Sequence, residues 1–501
     1  MKRQYVFFSR GVLVFLSLMF VLTMPLTGHA ATFTVNSIAD AVDANPGVGG
    51  CLTITGVCTL RAAVQEANGL AGDDIISLPA GTYVLNIAGA AENLAATGDL
   101  DISALGGALT INGAGAATTI IDGGDLDRVF ETTLNGTVAT ITGVTIRNGS
   151  ANDGLGGCVS IGGLTTMTLS NSVVTGCSDA TVPANNAGGG GIDVTGTLTM
   201  TNVAVTNNTS PSGGIDNGVA GTITWTNGTL SGNSDRGINN SGTLVMTNVT
   251  ISGNSTLGDG AGLDSDGSAT LLNCTISGNS APLNAPPSNI GGIRATTAVS
   301  VKNTIIANNT PTNCGRAAVN ATPLNSQGNN ISDNVCLTTP ALDGSDLVNV
   351  NPELGPLASN GGDLQTLALT ALSAAIDAGS ATGCPAADAR GILRPVDGNP
   401  LPPAVTAVCD IGAFEFRPRK ITTTPASPFN FGTVTSGTTS DQIVTVTNGG
   451  DADLIINSVA AAQLAAPFTM PVNNCAGVTL APAAGCSLTV RFAPTSTAAT
   501  P

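Results

Sequence analysis

One short string recurs along this chain, and it limits the fold more than any other feature. TLSNSVVTGCS from residue 168, TMTNVAVTNNTS from 199, ITWTNGTLSGNS from 223, LVMTNVTISGNS from 244, TLLNCTISGNS from 270 and VSVKNTIIANNT from 299 are versions of one unit. Their first asparagines, Asn171, Asn202, Asn227, Asn248, Asn273 and Asn303, stand 31, 25, 21, 25 and 30 residues apart. A second asparagine follows six residues later at Asn208, Asn233, Asn254, Asn279 and Asn309. After a loop of variable length comes a third short piece: GGID at Gly190, GGID at Gly213, GINN at Gly237, GLDS at Gly262 and GGIR at Gly291. Three short strands per unit, with Gly and Asn at the bends, describe one turn of a parallel β-solenoid, because these two residues best tolerate left-handed corners. The spacing shows neither the 3.6-residue periodicity of helical repeats nor the leucine pattern of leucine-rich ones. A β-sandwich leaves the doubly repeated asparagine unexplained. Stacked rungs place equivalent asparagines about 4.8 Å apart, within reach of side-chain amide ladders.

Alignment of the units puts Val174, Val205, Leu230, Ile251, Ile276 and Ile306 in one inward aliphatic column, with Cys274 inward beside it on Val249, Val203 and Ser172. Cys274 is therefore expected as a small buried hydrophobe. It is also the odd one among eleven cysteines. The other ten fall into neighbouring pairs: Cys51 with Cys58, Cys158 with Cys177, Cys314 with Cys336, Cys384 with Cys409, and Cys475 with Cys486. The Cys158 pair is the weakest expectation, since Cys158 aligns with the inward-facing Ile192. Trp225 follows the strand alternation, which does not decide the side it faces.

The first thirty residues read as a secretory signal: Lys2, Arg3 and Arg10, an uncharged apolar run from Gly11 to Leu26, and a small-residue cut site after Ala30 or Ala31. The run is shorter than the roughly 20 residues of a membrane span, so no transmembrane segment is expected after cleavage. Disulfides suit such an exported chain. The signal carries three of the 16 basic residues and none of the 33 acidic ones, which leaves thirteen against 33 and a net charge of −20. That balance argues against a nucleic-acid partner. The single histidine, His29, leaves with the signal, and with it the triads, Cys-His pairs and His-ligated metals of most hydrolases.

Residues 51 to 85 read as an N-terminal cap with a helix over Thr59 to Asn68, whose Leu60, Ala63, Val64 and Ala67 share one face. The run Cys58-Thr59-Leu60-Arg61-Ala62-Ala63-Val64, with Leu78-Pro79-Ala80-Gly81-Thr82-Tyr83, resembles the motif of the CSLREA-domain proteins, although Ala62 stands where that motif carries Glu. NPELGPLASNGGDLQTLAL, SAAIDAG, DARGILRP and CDIGAFEF, between Asn351 and Phe416, resemble the choice-of-anchor Q segment that closes bacterial right-handed parallel β-helix proteins. From Ile421, FNFGTV, IVTVTNGGDADLII and CSLTVRFAP resemble the choice-of-anchor D or ASH-type immunoglobulin-like module, and alternating strands with turn signals independently support a β-sandwich there. The chain stops soon after Phe492, so this sandwich is expected to lack a closing strand. The expected fold is all-β: signal 1–30, cap 31–90, a right-handed pectate-lyase-like β-helix over 91–345, an anchor-Q-like cap over 346–417, and a partial immunoglobulin-like module over 418–501.

Asp193, Asp216, Asn239, Asp264 and Arg294 each follow an inward Ile or Leu, so all five are expected to point outward in one column. Two chemistries suit it. As a passive face it is a ligand-binding column for a polysaccharide or a cell-surface glycan or protein, Asp and Asn being at home before a turn. As a catalytic face, Asp193 and Asp216 would share a Ca²⁺, and Arg294 with Asp264 would act as in acidic-polysaccharide lyases. The resemblances describe architecture and leave activity open, since pectate-lyase-like helices include enzymes and adhesins. The leading expectation is a secreted or surface-displayed non-catalytic protein of adhesion or glycan binding, the alternative a Ca²⁺-dependent polysaccharide lyase. The glycine- and aspartate-rich stretch Gly258 to Gly267 occurs once, without repetition, and is expected as a polar loop.

Overall fold

The computed structural model describes residues 30–496 apart from 90–91, 104–106, 133, 152, 181–187, 283–289, 298, 317–323, 335, 337–343, 399–406 and 461–463. Nearly all of the signal segment lies outside the described residues. No helix among them is long and apolar enough to cross a membrane.

The repeat is a parallel β-solenoid. Thr166–Thr175, Thr197–Thr206, Thr222–Ser231 and Thr243–Ser252 stack in parallel, in unbroken register on either side of their first asparagine. Each is two strands meeting at that asparagine, whose φ is +48° at Asn171, +56° at Asn202, +57° at Asn227 and Asn248, and +49° at Asn273 and Asn303. A left-handed corner of this kind is open to Asn at low cost and strained for a β-branched residue. The third pieces, among them Ile192–Val194, Ile215–Asn217, Ile238–Asn240, Leu263–Ser265 and Ile293–Ala295, form a separate nine-stranded parallel sheet from Leu100–Ile102 to Cys314–Arg316.

Inside, Val174, Val205, Leu230, Ile251, Ile276 and Ile306 are paired rung by rung and fully buried, as the repeat predicts. Cys274 is free and buried in register with Val249. Trp225 is fully buried, in the inward column between Met200 and Met246. Its indole uses the space left by Gly228, where neighbouring rungs carry Val203 and Val249 and where a Cβ would lie 2.2 Å from Trp225 Nε1.

The second asparagines form a buried ladder at the next corner. Nδ2 of Asn208 donates to Oδ1 of Asn233 at 3.1 Å, Asn233 to Asn254 at 2.9 Å, Asn254 to Asn279 at 2.9 Å, Asn279 to Asn309 at 2.9 Å and Asn309 to Asn313 at 3.1 Å. Each Oδ1 from Asn233 onward also accepts the backbone N–H of the previous asparagine, and each Nδ2 also donates to a carbonyl such as Val205 O or Leu230 O. A buried amide is thereby satisfied on both sides. The first asparagines form a parallel ladder through Asn171, Asn202, Asn227 and Asn248.

The expected N-terminal helix spans Leu60–Gly69 behind an N-cap at Thr59. More than one face is covered, since Leu60 through Asn68 are all buried. Arg61 pairs with Asp40 at 2.6 Å and donates to the carbonyls of Ala95, Gly98 and Asp99. At the other end, the segment expected to close the solenoid lies along its flank. Thr229 donates to Gln365 O, Asn248 to Ala387 O, Asn273 to Asp410 O and Asn329 to Ala378 O. Leu369, Ala375, Ile411 and Phe414 of this strap pack on Ile305, Ala307 and Ile331 of the rungs. Within the strap, Asp388, Arg390, Arg394, Asp410 and Glu415 form a buried ionic network, with Arg390 stacked 3.5 Å over Phe414.

The C-terminal module is antiparallel, with one sheet of Ile421–Thr424, Ser440–Asn448, Gly485–Phe492 and Phe468–Asn473 and a second of Leu454–Ile456 and Val478–Leu480. Asp451 joins it to the strap through Arg390 at 3.1 Å and Arg417 at 2.7 Å. All five expected cysteine pairs are disulfides. The expectation for Cys158 is corrected by one residue: Val159, not Cys158, pairs with Ile192, which frees Cys158 to meet Cys177.

Two stability measurements test this packing. Gly228→Val and Trp225→Met should each destabilise by about 2 kcal/mol in chemical denaturation, while the double variant, which restores the neighbouring rungs' pattern, should cost less than either. Asn254→Ala, which strands buried partners on both sides, should cost about 3 kcal/mol, whereas Asn202→Gly at the more open corner should stay within about 1 kcal/mol.

Candidate functional site

The expected column exists. Asp193 pairs with Asp216, Asp216 with Asn239, Asn239 with Asp264 and Asp264 with Arg294, each at the centre of a three-residue strand. It also runs further than the repeat indicated, through Ser160 and Glu131 to Asp101. Sequence alignment missed these because the first rungs lack the glycine-glycine-isoleucine marker and because Cys158 occupied the wrong register.

The column is not open to solvent as expected. Asp193 is 5% exposed and Asp264 7%. Loop backbone passes directly over it: a Cβ on Gly156, Gly189 or Gly260 would come within 3.0 Å of Asp193, Asp216 or Asp264. Its polar groups are already engaged with one another. Asn239 Nδ2 donates to Asp216 Oδ1 at 2.6 Å. Arg294 is held by Asp264 and, at 3.1 Å, by Asp266, while Arg236 reaches Asp264 at 3.4 Å from the preceding loop. Further along, the buried Arg128 bonds Asp99 at 2.8 Å, Glu131 at 3.1 Å and Asp153 at 3.0 Å.

Burial of so many carboxylates shows in their protonation. Desolvation, reinforced by Asp216 and Asp179, pushes Asp193 up to about 8. Desolvation pushes Asp216 up to about 6, against the opposing hydrogen bond from Asn239. Desolvation and Asp101 push Asp99 up to about 8, and desolvation pushes Asp101 itself to about 7. Asp264 is raised by desolvation despite Arg236 and Arg294. The raised pKa favours a protonated Asp193 at neutral pH, and Arg294 is tied through Nη1 to Asp264 and Asp266. Among the described residues, the group of three carboxylates whose ligand atoms lie within 4.8 Å of one another is Asp99, Asp101 and Glu131, which does not include the expected calcium pair Asp193 and Asp216.

Two concave spaces lie away from the column. A cavity of about 470 Å³ between the first asparagine corner and the strap is lined by Gly143, Asn171, Asn202, Asp363 and Leu364. Another of about 490 Å³ lies in the cap beside Asp43 and Gly49. Neither touches the column.

A second surface was legible in the alternation and was not picked out. Thr166, Thr168 and Ser170, then Thr197, Thr199 and Thr201, then Thr222, Thr224 and Thr226, then Thr243, Val245 and Thr247 occupy outward positions of four adjacent rungs in register. All are half-buried or exposed. With about 4.8 Å between rungs and twice the residue rise along each strand, they make an uncharged lattice of hydroxyls and methyls.

Comparison with known families identifies one part of the chain: residues 425–499 match the HYDIN/CFA65/VesB-like Ig-like domain. The C-terminal module is thus an Ig-like domain carried behind a parallel β-solenoid. No curated protein and no solved structure matches the chain.

The raised Asp193 gives a signed expectation. Its pKa is about 4 when unfolded and about 8 when folded, so the folded state binds the extra proton and stability falls as pH rises from about 4 toward 8. Asp193→Asn should be more stable than the wild-type chain at pH 8, with the gap closing at pH 4, in thermal unfolding across that range.

Proposed function

We propose that this is a secreted or surface-displayed β-solenoid that binds a glycan or cell surface without transforming it. The observation that carries the reading is the cover on the column: Asp193 and Asp264 lie buried under loop backbone, and Arg294 Nη1 is tied to Asp264 and Asp266, so a substrate carboxylate would have to compete with two resident ones for that cation. The flat threonine face is the better contact surface. It is neutral on a mature chain of net charge −20, so a neutral polysaccharide meets it without repulsion, while an acidic one is disfavoured by the protein's field. Threonine hydroxyls and methyls can follow both the hydroxyls and the apolar edges of a sugar chain.

The resemblance to CSLREA-domain and choice-of-anchor proteins supports export and display, as do the five disulfides. In this reading the Ig-like domain and the strap present the solenoid rather than act on a substrate.

The test is incubation of the mature protein with neutral and acidic polysaccharides, with and without Ca²⁺, following retention on the polymer and chain shortening. Retention on neutral polymers without shortening, lost in Thr199→Glu/Thr224→Glu, is expected. Calcium-dependent release of unsaturated products, abolished by Arg294→Ala in a folded chain, would instead establish the polysaccharide lyase.

A further inference from the structure

We infer that Asp99, Asp101 and Glu131 form a divalent-cation site, of the hard, oxygen-ligated kind that takes Ca²⁺, at the junction of the cap and the first rungs. Asp101 and Glu131 are register neighbours on the second sheet, and Asp99 enters from the loop just before it. The ligand atoms of the three carboxylates lie within 4.8 Å of one another. Proximity of acids alone says little. The second observation is Asp101 itself: it is fully buried, its Oδ2 accepts the N–H of Ala95 at 2.9 Å, and its Oδ1 is buried with no partner. A buried carboxylate oxygen without a donor is a costly defect, and a cation is the partner that repairs it.

Arg128 does not fill this role. It bonds Asp99 and Glu131 but makes no hydrogen bond to Asp101, and one positive charge is shared over three carboxylates including Asp153. It also has an alternative seat, since both of its terminal nitrogens already bond Asp153 at 3.0 Å. Arg128 can therefore stay on Asp153 while the oxygens of Asp99 and Glu131 turn to an ion. Three carboxylates, mono- or bidentate, supply much of the six to eight oxygens that Ca²⁺ takes, and an all-oxygen donor set does not select the softer transition metals.

The surroundings hold the ligands still. Arg61 of the helix Leu60–Gly69 clamps the loop through the carbonyls of Ala95, Gly98 and Asp99, and Asn68 donates to Asp101 O and accepts from the N–H of Ser103. A fixed second layer of this kind is what a metal site needs. The consequence is a cap whose docking on the rungs depends on the ion.

The experiment is calcium titration of the EDTA-stripped mature chain by calorimetry, with thermal unfolding run alongside. Uptake at this site and an upward shift of the melting temperature are expected, weakened by about tenfold or more in both Asp101→Asn and Glu131→Gln and unchanged in Asp193→Asn. Glu131→Gln, at a half-buried position, keeps the test valid if Asp101→Asn does not fold by circular dichroism. Absence of binding, or binding that survives Glu131→Gln and fails in Asp193→Asn, overturns the assignment.

Discussion

The hydrogen bond from one asparagine amide to the next is the interaction on which this molecule is organised. At the buried corner, each amide takes two hydrogens on its oxygen and gives two from its nitrogen, so that rung n cannot be laid down without rung n+1 in register. The backbone pairs of a parallel sheet would tolerate slippage by two residues; the ladder does not. It also explains why the spacing between units can vary from 21 to 31 residues, since only corners are fixed and the loops between them are free to differ.

Periodicity carried much of the architecture in advance, because an inward column and a corner amide repeat with the rung. The helix at Thr59 and the cysteine pairs were legible too, the pairs through simple proximity. The site was legible only as a register. That Asp193 and Asp264 stand in one line follows from Ile192 and Leu263. That they are covered does not, because the covering loops differ in length and composition and have no period to read. Trp225 was undecided for a related reason: its side follows from Gly228, a gap visible only once Val203 and Val249 are known to be its stacked neighbours. Asp101 and Glu131 were lost where the repeat decays toward the cap.

The scarcity of positive charge has a structural counterpart. Arg61, Arg128, Arg236, Arg294, Arg390, Arg394 and Arg417 are all at least partly covered and each faces a carboxylate. With so few cations among so many acids, these seven serve as internal struts, and the excess acid is left to be protonated, exposed or neutralised from outside. Buried pairs of this kind fix geometry more than they add stability, which suits Arg61 and Arg390, each placed where one structural unit meets another.

A solenoid of independent rungs is a one-dimensional stack in which each layer knows only its neighbours, so disorder at one end can fray inward layer by layer. The strap alters that connectivity. By binding Thr229, Asn248, Asn273 and Asn329 with one stretch of chain, it couples neighbouring layers and also layers that are not neighbours, such as those of Thr229 and Asn329. Layers tied in this way open together rather than one by one, and the Ig-like domain, joined to the strap through Asp451, is linked to those layers through the same segment.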